Sequence, residues 1–75
     1  MSKLPVISGI DLIKFLTKNY GFEVKRSKGS HAWLESNSGK KTSVPLHSEL
    51  ARGTLGAILE QVGVERDEFI RLYTR

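Results

Sequence analysis

The stretch that decides the fold is FEVKRSKGSHAWLESNSGKKTSVPL (residues 22–46), in which three short segments of strand character are separated by two turn signals. In the first segment, Phe22 and Val24 alternate with charged residues, which is the period-two pattern of a half-buried strand. The second segment carries Trp33, a residue type that favours strands. The third ends near Pro45, because proline cannot occupy the interior of a central strand. Three strands joined by short turns predict an antiparallel meander.

A helical pattern precedes the meander. Residues 9–20 keep apolar side chains at helical spacing. Ser8, followed three residues later by Asp11, is a variant of the capping box that begins helices. Gly21 is placed to end the helix in a left-handed conformation. We therefore predict a first helix over residues 9–20, and its apolar stripe consists of Ile10, Leu12, Ile13, Phe15, Leu16 and Tyr20.

Two further helical patterns follow the meander. RGTLGAILEQV (residues 52–62) has the spacing of an amphipathic helix, and Gly63 ends it. ERDEFIRLY (residues 65–73) predicts a short last helix with acids in its first turn and Arg71 near its end, as the helix dipole favours. The predicted order is α-β-β-β-α with an extra short C-terminal helix. Helices on one face of a three-stranded antiparallel sheet form a two-layer α+β fold.

The composition excludes several classes of protein. A chain of 75 residues is expected to form one domain, spanning residues 1–75. The absence of cysteine excludes a disulfide scaffold and a thiol nucleophile, and it suits the reducing cytoplasm. No apolar run approaches the ~20 residues of a membrane span, so we expect a cytoplasmic protein without a membrane partner. The sequence has no zinc-protease motif and no acids paired at ligand spacing, so no metal and no cofactor are expected.

Positive charge is concentrated in the meander. The formal net charge is +4, and residues 25–41 carry five cations against one acid. Residues 60–68 carry four acids against one arginine. A basic middle segment with an acidic C-terminal segment predicts a nucleic-acid-binding face on one side of the domain. A solvated, lysine-rich hairpin would have the same composition, so charge alone does not decide between the two.

Five short motifs follow one another in a specific order. Ser-Gly opens the first helix, Gly-Phe enters the first strand, Gly-Ser-His begins the second, Val-Pro-x-His closes the third, and Gly-Thr-Leu opens the next helix. The predicted core resembles the double-stranded-RNA-binding fold. Taken together over residues 4–31, 42–50 and 52–73, the motifs resemble those of the HicA (YcfA-like) family, the toxins of HicA–HicB toxin–antitoxin pairs. The resemblance covers almost the whole chain.

The resemblance implies a function. It implies a toxin of a type II toxin–antitoxin pair that cleaves messenger RNA, inhibits translation and growth, and is held inactive by a HicB-like antitoxin. It also implies that the histidine of the Gly-Ser-His motif, which is His31, is the catalytic residue. Many members have an aromatic residue or a second histidine directly after it, whereas this chain has Ala32. The catalytic histidine itself is retained.

The residue types around His31 suit phosphate chemistry. RNA cleavage without a metal needs a base for the 2′-hydroxyl, an acid for the leaving oxygen and positive charge near the phosphate, and it yields a 2′,3′-cyclic phosphate. Histidine transfers protons near neutral pH because its reference pKa is about 6.5. The ordinary alternative is an exposed strand histidine without a role. The residues expected to bind RNA are Lys25, Arg26, Lys28, Gly29, Ser30, Trp33, Lys40 and Lys41.

Two assignments stay open at this level. His47 is either an auxiliary acid or a loop residue that orders the turn after the third strand. Trp33 lies two residues from His31 and therefore shares its face of the strand. If the helices cover that face, Trp33 is a core residue. If they cover the other face, Ala32 and Leu34 are core residues and Trp33 is a platform on which a base can stack. The suitability of Ala32 and Leu34 for a core favours the second arrangement.

Two other classes of function fit the same pattern. A non-catalytic RNA-binding module of the double-stranded-RNA type would grip phosphates with the basic hairpin and a helix N-terminus. It would bind RNA without cleaving it, and His31→Ala would have no effect. A purely structural protein would pair its basic face with an acidic protein. An antitoxin that inhibits the toxin should likewise cover His31 and the basic face.

Overall fold

The computed structural model of the protein describes residues 3–74 and has the predicted order of elements. The α+β fold, with its three-stranded antiparallel sheet and extra C-terminal helix, is thereby confirmed. Within residues 3–74, no helix has the length and apolar character needed to cross a membrane. The elements in chain order are α1 (Gly9–Tyr20), β1 (Glu23–Lys28), β2 (His31–Glu35), β3 (Lys41–Pro45), α2 (Arg52–Val62) and α3 (Arg66–Tyr73).

The sheet has one face against the helices and one face toward solvent. Its strand order is β1-β2-β3, and both neighbouring pairs are antiparallel. α1 and α2 pack on β3, and the residues of β2 and β3 that face them are buried: Ala32, Leu34, Thr42 and Val44. The opposite face is called the open face below. On β2 and β3 it consists of His31, Trp33, Glu35, Lys41, Ser43 and Pro45.

The core is a single apolar cluster between the sheet and the helices. α2 contributes the stripe that its spacing predicted, and the four residues of the stripe are all buried: Leu55, Ile58, Leu59 and Val62. α3 docks through Phe69, whose ring meets that of Phe15 edge-on at 4.9 Å and stacks on Tyr73 at 5.4 Å. The largest fully buried side chains are Phe22, Phe69, Ile7, Leu12, Leu16, Leu34, Leu55, Leu59 and Val44.

The start of α1 is fixed against the end of β3. Ser8 caps the helix as predicted, because its side chain accepts a hydrogen bond of 3.0 Å from the N–H of Asp11. A Cβ atom added at Gly9 would lie 2.0 Å from the carbonyl oxygen of Pro45, so only glycine permits this close approach. The N–H of Gly9 also donates to the carbonyl of His47 at 2.9 Å. These contacts hold α1 beside the end of the sheet.

A polar contact joins α1 to α3 within the helical layer. The hydroxyl of Tyr20 donates to the carboxylate of Glu68 at 2.7 Å. Two effects raise the pKa of the Tyr20 hydroxyl to about 12: mainly its partial burial, and secondly this hydrogen bond. The pair therefore favours the protonated, neutral form of Tyr20 in the folded state.

Two apolar residues that were expected to be buried are exposed. β1 is exposed along its whole length, and Val24 is 48% exposed, so the prediction of a half-buried first strand was wrong. The helices pack on β3, at the other edge of the sheet, and leave β1 exposed, whereas Phe22, just before the strand, is buried. Ile10 is 56% exposed, since the buried side of α1 is centred on Leu12 and Leu16.

Candidate functional site

The structure places His31 and Trp33 on the open face of the sheet. Ala32 and Leu34, which alternate with them along β2, are each only 2% exposed and belong to the core. His31 is exposed, and Trp33 is 37% exposed. The interpretation that Ala32 and Leu34 form the core is therefore confirmed, and Trp33 lies outside the core.

Cross-strand pairing arranges the open face in three rows. Counted from the β1–β2 turn, the rows are Lys28–His31–Pro45, Arg26–Trp33–Ser43 and Glu23–Glu35–Lys41. The first two rows contain two cations and no acid. Both acids lie in the third row, at the far end of β2 from His31. The imidazole therefore lies at the positively charged end of the face.

A β-bulge in β1 determines which cations join these rows. The register between β1 and β2 shifts between Val24 and Arg26, which leaves Lys25 as the extra residue. Bulges re-aim the side chains that follow them and are common beside active sites. Here the shift aligns Arg26 and Lys28 with the residues of β2 that face solvent. Nothing in the sequence pattern predicted this bulge.

The turn between β1 and β2 brings polar backbone close to His31. Its loop is Gly29–Ser30, and Gly29 has a φ of +60°. A positive φ at the first of two loop residues is typical of a type II′ hairpin turn, which favours glycine there. The carbonyl of Ser30 accepts the N–H of Leu46 at 2.6 Å, and the Oγ of Ser30 lies 3.5 Å from Nδ1 of His31. Ser30 thus ties the turn to the end of β3 and faces one nitrogen of the imidazole.

Trp33 neighbours both a cation and the imidazole. The guanidinium carbon of Arg26 is 4.9 Å from the centroid of the Trp33 ring, which is the geometry of a cation–π contact. The centroids of the His31 and Trp33 rings are 6.0 Å apart, and the rings are tilted by 38°. The three side chains therefore form one continuous group on the open face.

Two of the remaining predicted cations adjoin this group. Lys25 is bound to Glu23 by an exposed salt bridge of 3.0 Å. Lys25 and Lys41 both line the shallow depression beside Trp33, together with Ser43. Their place agrees with a contact to an RNA backbone that passes over the open face, and their role as RNA-binding residues stays a prediction.

Lys40 and His47 make backbone contacts outside the group around His31. The ammonium of Lys40 donates to the carbonyl of Val62 at 3.4 Å, at the C-terminus of α2. A cation at this position interacts favourably with the helix dipole. His47 is exposed beyond the end of β3, and its carbonyl accepts the N–H of Gly9. The backbone of His47 thus orders the turn, and a role for its side chain as an auxiliary acid stays a prediction.

Two neighbours of the site were not singled out from the sequence. Pro45 is the partner of His31 on β3, and Ser43 is the partner of Trp33. Cross-strand neighbours depend on the register, which residue types alone do not specify. The Val-Pro-x-His motif marked Pro45 only as the end of a strand, and no signal pointed to Ser43.

Comparison with known proteins identifies the family. The family model described as the HicA toxin of bacterial toxin–antitoxin systems matches residues 9–64, from the start of α1 to just beyond α2. The matched region includes the whole sheet and the group around His31. A search of the curated proteins finds no match. Because the family model covers well over half of the chain, the protein belongs to the HicA toxin family, and it is a toxin of a toxin–antitoxin system that pairs with an antitoxin.

Proposed function

We propose that the toxin is a metal-independent endoribonuclease that cleaves messenger RNA with His31 as its catalytic residue. The observation that carries the proposal is the position of His31 on the one sheet face that the helices leave uncovered. There the imidazole is exposed and shares its row with Lys28. A solvent-facing histidine among cations, with no acid in its own row or the next, suits a reaction at a phosphodiester.

The reaction assigned to His31 is transfer of the RNA phosphate to the neighbouring 2′-hydroxyl. His31 accepts the proton of the 2′-hydroxyl, and the 2′-oxygen forms a bond to phosphorus while the bond to the 5′-oxygen breaks. The leaving 5′-oxygen takes a proton from water or from an acid, for which His47 is the candidate side chain. The products are a 2′,3′-cyclic phosphate and a 5′-hydroxyl. Ser30 faces Nδ1 of the imidazole at 3.5 Å, which leaves Nε2 for the substrate.

The cations of the open face supply attraction for the RNA backbone. Lys28 lies in the row of His31, Arg26 in the next row, and Lys25 and Lys41 adjoin Trp33. Such contacts do not depend on the RNA sequence, and they weaken as the salt concentration rises. Gly29 keeps the turn free of a side chain, so backbone phosphates have room to approach it.

The antitoxin partner that fits this proposal is a HicB-like protein that covers the His31 face. A partner with acidic groups would neutralise the cations and exclude RNA in one contact. Trp33 is the single tryptophan of the chain, so its fluorescence reports the occupancy of this face. Binding of such an antitoxin is expected to change that fluorescence and to stop cleavage together.

The test is RNA cleavage by the purified protein, freed of any co-purified antitoxin, in the presence of a chelator. The wild type is expected to cut, and His31→Ala is expected to lose about 10²–10⁴-fold in rate, which is the usual contribution of general acid–base catalysis. An RNA with a 2′-deoxy group at the cleaved position should resist the wild type, because it lacks the nucleophile. The companion variant is His47→Ala, which removes the other histidine of the chain and tests whether that side chain is the acid.

Each result has a definite meaning. Cleavage in chelator that requires both His31 and the 2′-hydroxyl supports the proposal. A strong loss in His47→Ala as well would assign that histidine as the acid for the leaving group. If the wild type and His31→Ala bind RNA equally and neither cuts it, the proposal of a nuclease fails and the protein is a non-catalytic RNA-binding module.

A further inference from the structure

The bulge at Lys25 decides which cation lies against Trp33. Regular antiparallel pairing continued from Val24 would place Lys25 opposite Trp33. The register shift inserts one extra residue, and Arg26 takes that place instead. The chain thus has two adjacent cations, and the bulge puts the arginine opposite the only tryptophan.

The two cations have different partners. Lys25 has its ammonium 3.0 Å from the carboxylate of Glu23, in an exposed salt bridge. Arg26 has its guanidinium over the ring of Trp33 at 4.9 Å, and no salt bridge to it is found within residues 3–74. Arg26 is therefore held in place by an aromatic ring, and its hydrogen-bonding groups are not taken up by a carboxylate.

The same contact changes the interpretation of Trp33. A free stacking platform needs an uncovered ring, but the guanidinium of Arg26 already lies over this one. His31 flanks the ring on its own strand at 6.0 Å. Trp33 thus supports two groups that are suited to phosphate chemistry, a guanidinium and an imidazole, and a base that stacked on the ring would displace the guanidinium.

We propose that Arg26 is a second catalytic residue, which binds the reacting phosphate opposite His31, and that Trp33 is the positioning residue that holds it there. The proposal rests on the ribonuclease function proposed above. When the 2′-oxygen attacks, negative charge increases on the two non-bridging oxygens of the phosphate. A guanidinium held on the same ring that the imidazole neighbours can donate two parallel hydrogen bonds to those oxygens.

Arginine suits this role for reasons that lysine does not share. Its planar fork matches two phosphate oxygens, and its flat face stacks on an indole ring. An ammonium is a flexible point charge with neither property. Arg26→Lys therefore keeps the charge of the open face but loses both the stack and the paired hydrogen bonds.

The experiment compares kcat and KM for cleavage of one RNA by Arg26→Lys, by Lys25→Ala and by the wild type. We expect Arg26→Lys to lower kcat by about 10²-fold, as removal of a donor to a developing oxyanion does, with little change in KM. Lys25→Ala removes a whole charge one residue away. It should act mainly on KM and reduce the slope of log affinity against log salt by about one.

Variants of Trp33 separate positioning from a merely structural role. Trp33→Phe keeps an aromatic face for the guanidinium and should retain most of kcat. Trp33→Leu should reproduce the kcat loss of Arg26→Lys. The double variant with Arg26→Lys should lose little more than either single variant, because both act through one contact. Thermal unfolding of each variant confirms that it is folded when kcat is measured.

Two outcomes would overturn the inference and leave the proposed function standing. One is a wild-type kcat in Arg26→Lys, and the other is a kcat loss in Lys25→Ala as large as in Arg26→Lys. A Trp33→Leu variant with wild-type kcat would remove the positioning role. The proposed function itself fails in a different way, when the wild type does not cut or when His31→Ala still does.

Discussion

The two faces of β2 differ sharply in burial, although their residues alternate along a strand of only five residues. Ala32 and Leu34 point into the helical layer and are almost fully buried. His31 and Trp33 point the other way and reach solvent. The comparison shows that one strand carries both the core and the candidate site. Substitutions only one residue apart should therefore act on stability in one case and on activity in the other.

A second difference separates the two edges of the sheet. β3 lies under α1 and α2, whereas β1 has no residue that is buried. Long cationic side chains can occupy β1 without the cost of burying a charge. The uncovered edge therefore provides the cations, and the covered edge provides the packing that holds the sheet in place.

The largest effect on stability is expected at the inner face of β2. Leu34→Ala should lower the free energy of unfolding by about 2–5 kcal/mol, the usual range for a leucine removed from a packed core. A domain of this size has a total stability of roughly 4–11 kcal/mol, so the variant approaches the limit of folding. Urea unfolding at neutral pH measures the difference.

The open-face counterpart of that variant is His31→Ala. It should change the free energy of unfolding by less than about 0.5 kcal/mol, as surface substitutions usually do. Equal losses in Leu34→Ala and His31→Ala would break the comparison, because they would show that the imidazole also contributes to packing.

A smaller effect is expected where α1 meets α3. Tyr20→Phe removes the hydrogen bond to Glu68 and should cost about 1 kcal/mol of unfolding free energy at neutral pH. Folding raises the pKa of the Tyr20 hydroxyl from 10.0 to about 12. The contribution of Tyr20 is therefore complete below pH 10 and is lost as the pH rises toward 12.

Urea unfolding of the wild type and Tyr20→Phe across this pH range tests the sign of the effect. The difference between the two proteins should shrink above pH 10. A difference that stayed constant, or grew, would contradict the assignment. RNA cleavage at neutral pH should be the same in both proteins, since Tyr20 lies in the helical layer and not on the open face.

The smallest effects distinguish two lysines that the sequence grouped together. Lys28→Ala should reduce the salt dependence of RNA binding by about one unit of slope and weaken binding to all sequences alike. Lys40→Ala should leave that slope unchanged, because the ammonium of Lys40 lies at the C-terminus of α2. It should instead cost about 0.3–1 kcal/mol of stability. A similar loss of slope in both variants would contradict this distinction and support Lys40 as an RNA-binding residue.

Much of the fold could be predicted because its signals are local. The capping residue Ser8, the period of α2 and the glycines that end the helices each act within a few residues of the chain, and all are confirmed. The five ordered motifs together likewise indicated the family, and the Gly-Ser-His motif among them indicated the residue to examine first, which is His31. Local rules of this kind can be applied without knowing which elements pack against each other.

Local patterns do not show the position of distant elements. Val24 has the alternation of a half-buried strand residue, but the helices lie at the other edge of the sheet and leave it exposed. Lys40 belongs to the basic segment by sequence, but the end of α2 lies next to it in space. Neither fact is encoded in the few residues around the position concerned.

By itself, then, the sequence determined the order of helices and strands, the family, and His31 as the candidate catalytic group. The tertiary structure decided that the helices cover Ala32 and Leu34, so that His31 and Trp33 face solvent. It also decided, through a one-residue shift in register, that Arg26 lies against Trp33. The physical reason is the period of two in a strand, which makes each side-chain position depend on register and on which face is covered.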